Sequence, residues 1–145
     1  MSTCKFCALV AEGKLPERLS NLVLETERAV VVVNRCPVAP GHITLILKAH
    51  HDRIGMLRDD DLCGFGTLAG RIAAVLEHDY QPRRVVFLGD GKPSAHLHFH
   101  LIPEVAESPL DLGAVVTDLN LAARINTLDD GETTALVARL RRAIV

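Results

Sequence analysis

The stretch His96-Leu97-His98-Phe99-His100-Leu101-Ile102 carries the clearest structural pattern in this chain. Histidine alternates with apolar residues, and successive side chains of a β-strand point to opposite faces. We therefore predict a strand over residues 95–102, closed by Pro103, with three imidazoles on one face and apolar side chains on the other. A row of imidazoles can attack a substrate, transfer protons or bind a metal ion. The stretch alone leaves these three alternatives open.

Composition indicates one globular domain. The chain has 145 residues, 48% of them hydrophobic and 23% charged, which is typical of a folded protein. Its net charge of −2 provides no basic field that would attract nucleic acid or an anionic membrane. Apolar runs such as Ala29–Val33 are far too short to span a bilayer, and the first residues lack a secretory-signal pattern. We therefore expect a cytoplasmic protein.

The rest of the chain predicts further strands and helices. Apolar runs bounded by turn residues predict strands over 22–24, 29–33, 43–47 and 84–88. Apolar residues at helical spacing predict a long helix over 62–77, preceded by acidic capping residues, and shorter helices over 119–125 and 133–144. A mostly antiparallel five-stranded sheet with one long helix and a helical C-terminal tail is an α+β architecture.

The four cysteines fall into two groups. In a cytosolic protein a disulfide framework is not expected, so we interpret Cys36 and Cys63 as buried small apolar residues. Cys4 and Cys7 form a Cys-x-x-Cys pair, which is weak evidence by itself because a closed zinc site needs four ligands. The βαβ pattern that accompanies redox pairs is missing. Three interpretations of this pair therefore stay open: two semi-buried thiols, a redox pair, or half of a metal site.

Two blocks of the sequence resemble the histidine-triad (HIT) family. Residues 96–102 fit its alternating histidine signature at every position. Asn34-Arg35-Cys36-Pro37-Val38-Ala39-Pro40-Gly41-His42, followed by Lys48-Ala49-His50 after a strand, is similar to the family's Asn-Arg-x-Pro-x-x-Pro-Gly-His segment. The resemblance covers the chain from residue 4 to about residue 103. It implies a single HIT-like domain over 1–145, with its core at about 4–104 and a tail over 105–145.

The resemblance implies a nucleotide hydrolase or nucleotidyltransferase that acts on a nucleoside phosphoramidate or a dinucleoside polyphosphate. In the family the middle histidine, here His98, attacks the α-phosphorus, and water hydrolyses the nucleotidyl-histidine intermediate. The other ring nitrogen donates to a backbone carbonyl, expected here to be that of His100. His100 and His42 are expected to lie against the phosphates or to hold the strand face in place. Asn34 is expected near the ribose, although it also suits a plain turn. Four apolar residues are candidates for a base-binding slot or for the core: Phe6, Leu9, Leu24 and Val33.

The resemblance also implies a structural metal. HIT-like proteins with an N-terminal Cys-x-x-Cys bind zinc, and the matching ligands here are Cys4, Cys7, His50 and His96. His51 could replace His50, but neighbouring side chains on a strand point apart, so we expect one of them to bind. Four protein ligands leave no open position for water, so the zinc is expected to be structural. The family commonly forms homodimers, and we expect a dimer here.

The loop before the histidine strand departs from the family pattern. Many members have a Gly-Gln pair there, which this chain lacks, and we expect Ser94 to take part of the glutamine's role in catalysis and substrate binding. Asp90, also expected at the substrate, would repel phosphates unless it points away, pairs with Lys92 or meets a cation. Glu104 stands where arginine is common. These departures motivate an alternative, a nucleotide- or zinc-binding protein with little catalysis, and a weaker one, a zinc-dependent redox or regulatory module.

Overall fold

The computed structural model describes residues 4–11, 21–34, 37–90, 95–106 and 129–144. The elements follow one another along the chain as α1 (Lys5–Ala11), β1 (Leu22–Glu25), β2 (Ala29–Val33), β3 (Ile43–Leu47), a 3-10 turn (Ile54–Met56), α2 (Asp59–Tyr80), β4 (Arg84–Asp90), β5 (His98–Glu104) and α3 (Asp130–Ile144). Over these residues, no helix combines the length and the apolar composition that crossing a membrane requires.

The strands form one antiparallel sheet in the order β1-β2-β3-β5-β4. This confirms the predicted α+β class and the five-stranded antiparallel sheet. The histidine strand β5 lies inside the sheet, between β3 and β4. In its register with β3, His98 lies opposite Ile46 and His100 opposite Thr44.

The two faces of the sheet have different partners. Phe99 and Leu101 point to the face that packs on α2 and α3, whereas His98 and His100 occupy the opposite face. The long helix meets this core through a stripe at helical spacing, made of Phe65, Ala69, Ile72 and Leu76. The predicted alternation is thus confirmed for residues 98–101.

The long helix is longer than predicted and ends near the histidines. It begins at Asp59 with three acidic residues in its first turn, which suits the positive end of the helix dipole. Its last residue, Tyr80, touches Gly41, the residue before His42. Gly41 has a φ of 81°, and a Cβ there would lie 2.6 Å from the Tyr80 ring. Glycine therefore allows the loop before His42 to pass close to the helix end.

The C-terminal helix belongs to the same core. It begins at Asp130, where Asp129 and Glu132 exchange two backbone–side-chain hydrogen bonds as a capping box. Leu136 and Leu140 are fully buried in the cluster that also contains α2. Arg141 donates to two backbone carbonyls of β1 at 2.8 and 2.9 Å. The C-terminal tail therefore ends in a helix that packs into the same hydrophobic core as the long helix.

Four sequence expectations need correction or lie outside the described residues. The histidine strand begins at His98 instead of residue 95 and continues through Pro103 to Glu104, because Ala95 has a φ of 46° and residues 95–96 form a bend. Cys63 is exposed on α2 and not buried. Cys36 and the predicted helix over 119–125 lie outside the described residues, and the domain boundaries stay a prediction.

Candidate functional site

Three buried histidines meet on the face of the sheet away from α2 and α3. The ring centroids of His98 and His100 are 5.0 Å apart, and His42 contacts His100 edge-on at the same distance. Each side chain is at most 6% exposed. Phe6 of α1 lies against His98 with a centroid separation of 4.9 Å. The loop 37–42, the strand β5 and the N-terminal helix therefore converge at one place.

A chain of hydrogen bonds assigns the protons of His42 and His100. The backbone N–H of Val38 donates to His42 Nδ1 at 3.3 Å, so the proton of the neutral His42 ring is on Nε2. His42 Nε2 donates in turn to His100 Nδ1 at 2.9 Å, which places the His100 proton on Nε2. Burial and the nearby His100 lower the pKa of His42 to about 3, so the His42 ring is neutral near pH 7.

Thr44 joins this network, although no sequence pattern predicted it as a site residue. It is buried opposite His100, and its Oγ1 lies 3.4 Å from His100 Nδ1. Asn34, a predicted site residue, donates from Nδ2 to Thr44 Oγ1 at 2.9 Å. The signal that could have revealed Thr44 is a single polar residue inside the apolar run 43–47, but its partner becomes visible only from the strand register.

His98 is held in one tautomer by the backbone. Its Nδ1 lies 2.8 Å from the carbonyl oxygen of His96, and because a carbonyl only accepts, this nitrogen carries the proton. The neutral ring then has its lone pair on Nε2. The expectation that the His100 carbonyl would be the acceptor is wrong. Residue 100 lies inside the ladders to β3 and β4, whereas His96 precedes the strand and turns its carbonyl toward His98.

The four predicted metal ligands meet beside the histidines. The donor atoms of Cys4, Cys7, His50 and His96 lie within 4.8 Å of one another. His96 Nδ1 is 3.3 Å from Cys4 Sγ and 3.5 Å from Cys7 Sγ, and Cys7 Sγ is 3.2 Å from His50 Nδ1. Tetrahedral zinc with its usual bond lengths separates sulfur and nitrogen ligands by about 3.5 Å. The donor set therefore fits a zinc ion in both chemistry and spacing.

The protonation of these ligands also favours a metal. His96 Nε2 donates to the carbonyl of Leu47 at 2.6 Å, which leaves its Nδ1 lone pair toward the thiols. The hydrogen bond to the Leu47 carbonyl raises the pKa of His96, but burial lowers it by more, so the pKa of His96 is below its usual value.

The two thiols differ in acidity. Partial burial opposes ionisation of Cys4, but hydrogen bonds from the Cys7 and Phe6 backbone and the Cys7 thiol outweigh it, so the pKa of Cys4 is below its usual value. Burial and the neighbouring Cys4 raise the pKa of Cys7. A divalent cation would stabilise both thiolates.

His51 does not join the cluster. Its backbone carbonyl accepts from the Leu97 N–H at 2.6 Å, and its ring is not among the four converging side chains. Of the two neighbouring histidines, His50 therefore supplies the donor atom that reaches the thiols.

Other predicted site residues are only partly placed. The Asp90 backbone pairs with His98 across β4 and β5, whereas its side chain is not described, and Ser94 and Lys92 lie outside the described residues. Glu104 is buried at the far end of β5, roughly 20 Å along the strand from His98, where it pairs with Arg84 at 2.7 Å. Glu104, which stands where arginine is common in the family, therefore places no carboxylate beside the histidines.

The expected base-binding slot is divided between the two faces. Phe6 packs on the histidine face, together with Val10. Leu24 and Val33 instead belong to the core on the opposite face, because successive residues along each strand point alternately to the two faces of the sheet. The Leu9 side chain lies outside the described residues. Of the four candidates, Phe6 is thus the one seen beside His98.

A sheet that carries a row of histidines on one strand is the hallmark of the histidine-triad class of proteins, and this chain has that arrangement. The sequence model of the family described as "HIT domain" matches residues 16–107, which is more than half of the chain. The chain therefore belongs to the HIT family.

Similar proteins include two with named activities. The bis(5'-adenosyl)-triphosphatase of Dictyostelium discoideum is 31% identical over 91 residues, which cover 59% of this chain and 61% of that protein. The adenosine 5'-monophosphoramidase of Candida albicans is 26% identical over 116 residues, which cover 74% of each. The crystal structure of a zinc-bound histidine triad family protein from Mycobacterium smegmatis has a TM-score of 0.60 at 20% identity and covers 97% of both chains, which shows the shared fold.

Proposed function

We propose that this protein is a nucleotide hydrolase or nucleotidyltransferase in which His98 Nε2 attacks the α-phosphorus of a nucleoside phosphoramidate or dinucleoside polyphosphate. The hydrogen bond from His98 Nδ1 to the His96 carbonyl supports this proposal, because it leaves the lone pair on Nε2. A neutral imidazole in that tautomer attacks without first losing a proton. The named activities of the Dictyostelium and Candida relatives support the same class of reaction.

The proposed reaction has two steps. His98 Nε2 forms a bond to phosphorus, and the bond from phosphorus to the leaving nitrogen or oxygen breaks. Water then attacks the same phosphorus, and the bond from phosphorus to Nε2 breaks, which restores neutral His98. The proton that the water loses balances the proton that the leaving group takes up. The His100 Nε2–H, assigned from the hydrogen bond that its Nδ1 accepts from His42, is a donor suited to a phosphate oxygen that gains charge. His42 would support His100 in that orientation.

We further propose contacts to the rest of the substrate. Asn34 is proposed to lie near the ribose, which is consistent with its position beside Thr44 at the edge of the histidine network. Asp90, the last residue of β4, and Ser94 are proposed to contact the phosphates. The homodimer implied by the resemblance and the cytoplasmic location expected from the composition stay predictions.

We also propose that Cys4, Cys7, His50 and His96 hold a structural zinc ion. The spacing of their donor atoms supports this assignment. When bound, zinc supplies folding free energy and cross-links the N-terminal segment to the sheet. Because the protein provides all four ligands, no position is left for an activated water molecule, and the chemistry is assigned to His98.

Trapping of the intermediate tests the proposed reaction. The zinc-loaded protein is mixed with adenosine phosphoramidate labelled at phosphorus and quenched, and the adduct is mapped by mass spectrometry. We expect an acid-labile adenylyl group on His98 in the wild type and none in His98→Ala. His78→Ala is a matched control, because the His78 side chain is 87% exposed at the end of α2. Equal turnover by His98→Ala and the wild type would refute the proposal, and nucleotide binding without an adduct would favour the binding protein.

A further inference from the structure

We propose that the metal cluster positions the nucleophile, so that binding of the metal orders His98 for attack. The inference rests on the proposed function, since it assigns a regulatory input to the same site. Its basis is that His96 belongs to both places. The His96 side chain offers Nδ1 to the cysteines, and the His96 backbone carbonyl accepts the hydrogen bond from His98 Nδ1.

The segment around His96 is held from the side of β3. His96 Nε2 donates to the Leu47 carbonyl at 2.6 Å, and the Leu97 N–H donates to the His51 carbonyl at 2.6 Å. The Leu47 N–H donates to the Leu97 carbonyl at 3.4 Å. These bonds orient one edge of the His96 ring. The other edge faces Cys4 and Cys7, so its restraint depends on what joins the ring to the two cysteines.

The N-terminal helix provides a second link. It contains seven residues, too few for a helix that is stable by itself in water. Phe6 lies between the two cysteines in sequence, and its ring contacts both His96 and His98, with centroid separations of 5.4 and 4.9 Å. A metal that binds both cysteines would therefore hold Phe6 against the face of the nucleophile.

Loss of the metal would release both restraints together. The His96 ring would lose its bond on the Nδ1 edge, and the helix that carries Phe6 would lose its cross-link to the sheet. The carbonyl that selects the Nδ1–H tautomer of His98 would then be less ordered, and part of the population would place the proton on Nε2, where it blocks attack. Changes around a ligand of this kind alter activity by about tenfold or more, and we expect a fall of about tenfold in adduct formation.

The test measures the His98 ring directly, without substrate. Side-chain 15N NMR at one fixed pH distinguishes the two neutral tautomers. We expect the zinc-loaded protein to show His98 protonated at Nδ1, the chelated protein to show a mixture, and re-added zinc to restore the first spectrum. Cys7→Ser should resemble the chelated protein, whereas Cys63→Ser, which removes an exposed thiol on α2, should resemble the wild type. His50→Cys keeps four ligands and should retain both the zinc and the tautomer.

A second variant decides the question if the chelated protein unfolds. Phe6→Leu keeps all four ligands, so we expect full zinc occupancy, an unchanged circular dichroism spectrum, altered His98 ring signals and adduct formation slowed several-fold. The inference is overturned if the His98 signals do not change when all zinc is removed from the folded protein. It is equally overturned if zinc-loaded Phe6→Leu has wild-type His98 signals and adduct rate.

The two proposals fail in different ways. If the wild type forms the adduct on His98 and the ring signals are independent of zinc, the coupling is refuted and the enzymatic proposal stands. If the ring signals follow zinc but no adduct forms with any nucleotide substrate, the enzymatic proposal is refuted and the coupling stands.

Discussion

The buried His42 makes a quantitative prediction about stability and pH. Its pKa is lowered from 6.5 to about 3, chiefly by burial and secondly by His100. In the unfolded chain the imidazole takes up a proton near pH 6.5, whereas in the folded protein it does so near pH 3. Between these values the unfolded state binds more protons, so the free energy of unfolding falls as the pH falls.

The size of the effect follows from that difference in pKa. Each pH unit below 6.5 costs about 1.4 kcal/mol, so lowering the pH from 7 to 5 removes about 2 kcal/mol through His42 alone. The replacement His42→Gln keeps an amide near His100 but does not titrate. We therefore expect its free energy of unfolding to fall by about 2 kcal/mol less than that of the wild type over the same range.

Urea denaturation of the zinc-loaded proteins at pH 7, 6 and 5 measures this difference. Contributions from the carboxylates and from zinc are shared by both proteins and cancel in the comparison. His78→Gln is the control for replacing a histidine by glutamine, because the His78 side chain is largely exposed. If His42→Gln and the wild type lose equal stability between pH 7 and pH 5, His42 is not a buried neutral imidazole, and the proton assignment of His100 fails with it.

Three further predictions concern stability and metal content. Leu140→Ala removes a fully buried side chain of the C-terminal helix and should lower the free energy of unfolding, measured by urea denaturation, by about 2–5 kcal/mol. The control Leu62→Ala, at a 37% exposed position, should lower it by well under half as much. Similar losses in the two variants would contradict the place of the C-terminal helix in the core. Gly41→Ala should lower the melting temperature, because the new Cβ would lie 2.6 Å from the Tyr80 ring and because the φ of 81° disfavours alanine. An unchanged melting temperature would show that the loop before His42 moves to accommodate the methyl group. Zinc analysis should find about one ion per chain, with loss on Cys7→Ser; full occupancy in that variant would remove the ligand assignment.

Part of the site was predictable because it depends on local pattern. The alternation from His98 to Leu101 is a property of neighbouring residues, so the sequence predicts which side chains share a face. The convergence of Cys4, Cys7, His50 and His96 was predicted as well, although only from resemblance to proteins with the same motifs. Spacing alone did not decide the role of the Cys4 and Cys7 thiols, because their histidine partners lie more than 40 residues away along the chain.

Other features depend on register and on single backbone angles. Thr44 joins the histidine network because β3 pairs with β5 in a register that places it opposite His100. Glu104 pairs with Arg84 for the same kind of reason, across β4 and β5. The polar identity of these residues was visible, but no local pattern encodes which partner each one meets.

By itself, the sequence determined the α+β class, the histidine face of the strand and the chemical types of the donor groups, since these follow from side-chain identity and a two-residue period. The tertiary structure alone decided that His96 leaves the strand. A positive φ at Ala95, the hydrogen bond from His96 to the Leu47 carbonyl and the bond from the Leu97 N–H to the His51 carbonyl hold this segment. They turn the His96 ring toward the cysteines and its carbonyl toward His98. Contacts between distant segments therefore make three similar histidines chemically different.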